Sequence, residues 1–140
     1  MKKSFLFILF FISTKIYSQE NIHWLVNKDR KTDCSFIKSG KFVNEETGDE
    51  NTKGYSIEFR GEYVIEKIED GKYYLKSKIN FTSKCSYEIK VIETNIPGYE
   101  SIIGQVFYTE ILETAKIDKL VKIRSKGDVW KTLVLKKVEE

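Results

Sequence analysis

The sequence predicts an all-β domain, an antiparallel up-and-down barrel or a strongly curved meander sheet of about seven strands. Three observations carry this expectation. Apolar and polar residues alternate with period two through much of the chain, as half-buried strands require. Glycine-bearing turn signals separate the alternating runs. The composition holds 8 Tyr and 9 Phe but one Pro, and Ala115 is the one alanine, a balance that suits strands better than helices. Both architectures need one buried face per strand, and so does a two-sheet sandwich, which stays open as the rival. Barrel closure has the advantage of removing exposed strand edges.

The elements follow in order. Ser35 to Asn44 reads as a first strand bent near Gly40, with Phe36, Ile37, Phe42 and Val43 as its apolar residues. Glu45 to Gly54 is the most polar stretch and is expected to be an exposed loop. From Tyr55 to Glu66 the pattern is regular: Tyr55, Ile57, Phe59, Gly61, Tyr63 and Ile65 on one parity, polar residues on the other. This predicts one long strand, bulged or bent at Gly61. Asp70-Gly71 signals a tight turn. A return strand carries Leu75, Ser77, Ile79 and Phe81, and Thr82-Ser83-Lys84 turns the chain again. Cys85, Tyr87, Ile89 and Val91 then share the face of the next strand. Asn95-Ile96-Pro97-Gly98 reads as a longer connection. Ile102–Leu112, Lys116–Arg124 and Val129–Val138 complete the set, with a turn at Lys126-Gly127-Asp128. Phe107, Ile111, Ala115 and Lys119 also fit helical spacing, but the Ile and Val content and the flanking glycines favour strands.

A leader precedes this domain. Met1-Lys2-Lys3 is basic, Phe5 to Ile12 is an unbroken run of eight apolar residues, and the small Ser18 stands at a cleavage position. That order is the pattern of a secretory signal peptide. The run is far shorter than the roughly 20 residues of a spanning helix, so no membrane span is expected. Residues 1–18 are therefore read as a cleaved signal helix and 19–140 as a single β-rich domain, exported to the periplasm or beyond the cell. The leader style and the Lys-, Ile- and Asn-rich composition point to a bacterial source.

Removing the leader changes the charge. The chain has 24 Lys+Arg against 21 Asp+Glu, and residues 1–18 hold three lysines and no acid, so the mature balance is 24 − 3 = 21 against 21. A neutral domain lacks the electrostatic footprint of a nucleic-acid binder. The two cysteines, Cys34 and Cys85, form an even pair in an exported chain and predict a disulfide. No Cys-x-x-Cys redox motif is present.

Signals of catalysis are few. His23 is the one histidine, which removes the usual zinc sets; a histidine-based triad would have to use it, and no Gly-x-Ser-x-Gly elbow is present. No phosphate-binding glycine loop or dinucleotide fingerprint occurs, and no metal or cofactor is expected. A carboxylate-based hydrolase is the remote enzymatic alternative, with Glu62 and Glu66 as candidates. Arg60, Glu62 and Glu66 share the polar parity of the long strand. They are read either as ligand contacts or, more plainly, as a solvated face paired with Lys76 and Lys78. Phe59, Tyr63, Phe81 and Tyr87 fall on inward parities, where they would line an apolar ligand cavity or fill the core. Trp24 and Trp130 are candidate contact residues.

Cys34-Ser35-Phe36-Ile37-Lys38-Ser39-Gly40-Lys41-Phe42, followed by Cys85-Ser86-Tyr87, gives a pattern of Cys-x-x-hydrophobic-x-x-Gly-x-Phe and a later Cys-x-Tyr. It resembles that of small exported proteins of Bacteroidetes, mostly uncharacterised, and Arg60 and Glu66 resemble an Arg…Glu strand of the same group. The resemblance spans about residues 34–138 and implies a β-rich exported domain without assigning an activity.

The expected function is a non-enzymatic exported binding module, a monomer without nucleic-acid affinity. Its ligand contacts would be Phe59, Tyr63, Phe81, Tyr87, Arg60 and Glu66, taking a small apolar molecule. The alternative is an envelope protein-interaction factor of the inhibitor or immunity type, which would instead carry an exposed Tyr or Trp patch.

Overall fold

Eight strands close into a barrel in which each strand pairs with the next in sequence, the first closes against the last, and every pairing is antiparallel. They are β1 (Gly40–Asn44), β2 (Ser56–Arg60), β3 (Tyr63–Ile68), β4 (Tyr73–Ser83), β5 (Ser86–Thr94), β6 (Val106–Ala115), β7 (Leu120–Lys126) and β8 (Trp130–Glu139). The computed structural model describes residues 25–45, 54–127 and 129–140. The leader over residues 1–18, His23, Trp24 and most of the polar 45–54 loop lie outside the described residues. Closure is made by β1 against β8, from Lys41 opposite Glu139 to Asn44 opposite Leu135. No α-helix occurs among the described residues, so the helical spacing of Phe107, Ile111 and Ala115 is resolved as strand β6.

The one-strand reading of Tyr55 to Glu66 is corrected here. The run folds back on itself as the β2–β3 hairpin, with Arg60 opposite Tyr63 and Phe59 opposite Val64. Gly61 takes the first position of the two-residue loop at φ +61°, a place where glycine meets no side-chain penalty. The strand count rises to eight for this reason. Parity also resets. In an uninterrupted strand Phe59, Tyr63 and Ile65 would share a face. After the hairpin Val64, Glu66 and Ile68 are buried, whereas Tyr63 is exposed.

The other turns stand close to their sequence signals. Glu69, Asp70 and Gly71 all have positive φ between β3 and β4. The predicted Thr82-Ser83-Lys84 turn sits slightly later, since β4 runs through Ser83 and β5 starts at Ser86, leaving Cys85 in the turn. The first predicted strand is shortened: Cys34–Ile37 is a 3-10 turn capped by the Asp33 carboxylate, which accepts from the Ser35 amide at 3.1 Å. The strand begins at Gly40. Its φ is +111°, and a Cβ there would lie 2.6 Å from the Glu139 carbonyl and 2.9 Å from Lys137 Cε. Only glycine fits both the conformation and the close approach.

The core is the barrel interior, with a cover at each end. Cys34 and Ile37 are buried at the end where β4 turns into β5, and the Cys34–Cys85 disulfide ties the cover to that turn (Cα–Cα 5.3 Å). At the other end the long β5–β6 connection folds Ile96, Tyr99 and Ile102 inward. The segment before Cys34 binds β6: the Asp29 amide donates to the Thr114 carbonyl at 2.7 Å, and the Thr114 hydroxyl donates to Asp29 at 2.5 Å. Lys116 Nζ closes the same join at 2.9 Å from Asp33.

Candidate functional site

Six residues carried the sequence expectation of a ligand site, and the barrel sorts them by the parity of their strands. Phe59 on β2, Phe81 on β4 and Tyr87 on β5 all enter the core packing. Their rings touch edge to face or tilted, Phe59 to Tyr87 at 6.0 Å and Phe81 to Tyr87 at 5.4 Å. Phe42 continues the chain of rings, 5.7 Å from Phe59, and Phe36 lies 6.0 Å beyond it. Such pairs add about 0.5–1.5 kcal/mol each beyond the area they bury. These rings use their faces and edges on one another.

Tyr63 and Arg60 are elsewhere. Tyr63 points outward, 37% exposed, with Lys76 Nζ 4.6 Å from its ring centroid. Arg60 is also outside and pairs with Glu58 at 2.7 Å on its own strand. The expectation that Tyr63 shares the inner face with Phe59 is overturned by the Gly61 turn. Glu62 stays on the surface, 3.9 Å from Lys78, as the plain outer-face reading had it.

Glu66 moves the other way. It was expected on the polar outer face and stands inside the barrel, 4% exposed, facing inward between Val64 and Ile68. Its cross-strand neighbours are Ile57 and Leu75. Burial among them drives the Glu66 carboxyl well above the ordinary carboxylate range. Burial also raises the Tyr55 and Tyr87 hydroxyls, and the Glu66 charge pushes both in the same direction. Tyr87 hydrogen-bonds the Thr109 side chain. Thr109 in turn pairs with Ser125 at 2.8 Å, both fully buried. Tyr87, Thr109 and Ser125 are direct cross-strand partners on β5, β6 and β7. The interior therefore carries a polar row beside its aromatic rings.

A second grouping lies on the outer face of β6, β7 and β8. Trp130 opens β8, 41% exposed, and the Arg124 guanidinium stacks 4.2 Å from its ring centroid. Tyr108 meets the same indole edge to face at 6.2 Å. Arg124 also donates to Glu110 at 2.7 Å, which fixes the guanidinium over the ring. Lys126 approaches the indole from β7, 5.7 Å from the centroid. Val106 and Val129 add exposed apolar surface near the strand ends. The sequence held the signal for this cluster: Tyr108 and Trp130 fall on the parities opposite Phe107 and Leu133, where polar residues are expected.

Among the described residues no group of three or more His, Cys, Asp or Glu could hold a metal ion. No described helix is long and apolar enough to cross a membrane. No protein-family model, curated protein or solved structure matches the chain.

Proposed function

We propose that this chain is a non-enzymatic, exported binding module that holds a protein partner on the outer face of β6–β8. The stacked Trp130, Arg124 and Tyr108 carry the reading. Tryptophan, tyrosine and arginine are the residue types that dominate binding energy at protein interfaces, because each buries a large rigid surface and retains polar contacts at its edge. Arg124 is already held by Glu110 and by the indole, so little side-chain freedom would be lost on docking. Glu110 neutralises Arg124, and exposed Lys126 leaves the patch cationic. The fitting partner is a protein surface with an apolar side chain rimmed by carboxylates. The disulfide is compatible with work in an oxidising compartment. A small apolar guest is less well supported, since Phe59, Phe81 and Tyr87 would have to leave one another to make room.

The test is a photo-crosslinking residue at Val129 in the producing cell, with a control at Tyr63 across the barrel. The expected result is one protein adduct from position 129 and none from 63, lost when Trp130→Ala is added. The purified partner should then bind Trp130→Ala about 10–100-fold more weakly, at unchanged thermal stability. An adduct indifferent to Trp130, or none at all, overturns the reading.

A further inference from the structure

Glu66 Oε2 is a buried carboxylate oxygen with no hydrogen-bond partner among the described residues. Native proteins rarely leave a buried polar atom in this state, and an internal water commonly supplies the missing hydrogen bond. The position is not peripheral. Glu66 sits at the middle of β3 with an apolar residue before and after it on the inner face, and apolar residues opposite on both neighbouring strands. A leucine at that point would complete the apolar wall. Yet the interior is polar nearby: Tyr87, Thr109 and Ser125 form a hydrogen-bonded row, and Ser77, the cross-strand partner of Val64, is buried on β4. The Glu66 charge raises the Tyr87 hydroxyl, and both side chains are buried in the same interior.

We infer that Glu66 is the anchor of an internal subsite for one small, uncharged, hydrogen-bonding guest, seated between Glu66 Oε2 and the hydroxyl wall headed by Tyr87. The chemistry required of the guest is a hydrogen-bond partner for the carboxyl and no net charge, because a charged guest would be stripped of its hydration against walls that are apolar or hydroxylic. Two sources satisfy it, an internal water molecule and a small polar organic molecule acquired in the producing cell. The subsite is distinct from the outer-face patch and stands or falls independently of it.

Two measurements on the purified chain from its own producer decide the matter. Native mass spectrometry detects an organic guest as a fixed added mass, and oxygen-17 magnetic relaxation dispersion counts long-lived internal waters. Both are run on wild type, Glu66→Gln and Glu66→Leu. An added mass that Glu66→Leu abolishes supports the organic guest. One internal water fewer in Glu66→Leu than in wild type, at unchanged mass, supports the water. Glu66→Gln retains a hydrogen-bonding amide and is expected to keep the guest in either case, which separates loss of the anchor from a general disturbance of the fold. Equal mass and equal water counts in wild type and Glu66→Leu overturn the subsite.

Discussion

Removing the Cys34–Cys85 bridge should cost the fold about 4 kcal/mol, and the reasoning can be checked at several points. The two residues are separated by 51 positions. In the chain-entropy description a closed loop of that size restricts the unfolded ensemble by about 4 kcal/mol at 25 °C. The bridge constrains the unfolded chain most where native contacts do not. In the folded protein the cover is held on both sides without it. Asp33 bonds Thr114 and Lys116 upstream, and Gly40 enters the barrel downstream. The variant Cys34→Ala/Cys85→Ala should therefore remain a barrel and unfold earlier. With a urea slope of about 2 kcal/mol per molar, the midpoint falls by about 2 M. In a thermal scan the loss corresponds to about 12–20 °C for a domain of this size. The slope itself should steepen, because the uncrosslinked chain unfolds to a more expanded state. Wild type with reductant is the control that separates cross-linking from packing, since Cys34 is buried and its sulfur remains in place as a thiol. It should match the double variant to within about 1 kcal/mol. A midpoint shift below about 0.5 M refutes the reasoning. Loss of hydrogen-exchange protection at Phe36 and Lys38 alone would then mean that the cover opens locally, because both amides bond within the Cys34–Ile37 turn region.

Other perturbations test the interior, the turns and the surface. The raised Glu66 carboxyl contributes stability that is full below its unfolded value of 4.5 and is lost as pH rises towards its folded value. Urea midpoints of wild type should thus fall from pH 5 to pH 8, Glu66→Gln should flatten that limb, and parallel profiles would exclude a neutral carboxyl in the core. Asp33 behaves oppositely: the Ser35 hydroxyl and Lys116 hold its carboxyl down to about 2 from 3.8, so its contribution is present above 3.8 and lost as pH falls to about 2. Asp33→Asn should remove that acid limb in a pH-resolved melt while sparing the neutral range. Gly61→Ala meets nothing within 4 Å and should cost only the conformational penalty, about 1–2 kcal/mol. Gly40→Ala adds overlap with Glu139 and Lys137 and should cost about 2–5 kcal/mol in the same urea assay. Equal losses at the two glycines would show that the close approach is relieved by movement.

The barrel was legible because its signals are local. Period-two alternation in Leu75–Phe81 and Tyr87–Val91 marks buried faces directly, and Asp70-Gly71 marks its turn by chemistry that needs no tertiary context. The cysteine pairing followed from there being two of them. What failed was a single glycine. Within an alternating run, Gly61 as a bulge and Gly61 as the first residue of a hairpin leave the same sequence trace, because a two-residue loop keeps apolar residues on both flanks. Only the pairing of Phe59 with Val64 distinguishes them. The cover turn at Cys34–Ile37 was missed for a similar reason, since its apolar residues are those a strand would also use.

That one turn explains why the candidate site was only half legible. A two-residue loop exchanges the faces of everything that follows it until the next turn, so one misplaced residue moves Tyr63 out and Glu66 in together. Sequence patterning assigns a charged residue to water by default, and a buried glutamate contradicts the pattern rather than supplying one of its own. The same default concealed the outer patch, because an aromatic on a polar parity reads as a stray apolar residue until Arg124, Tyr108 and Trp130 are seen to converge from three strands. An acid inside and stacked aromatics outside are two places where the pattern breaks, and at both the molecule departs from what stability alone would select. Replacing Glu66 with leucine would suit the core, and replacing Trp130 with threonine or lysine would suit an exposed strand. The binding roles proposed for the two sites would account for the presence of both.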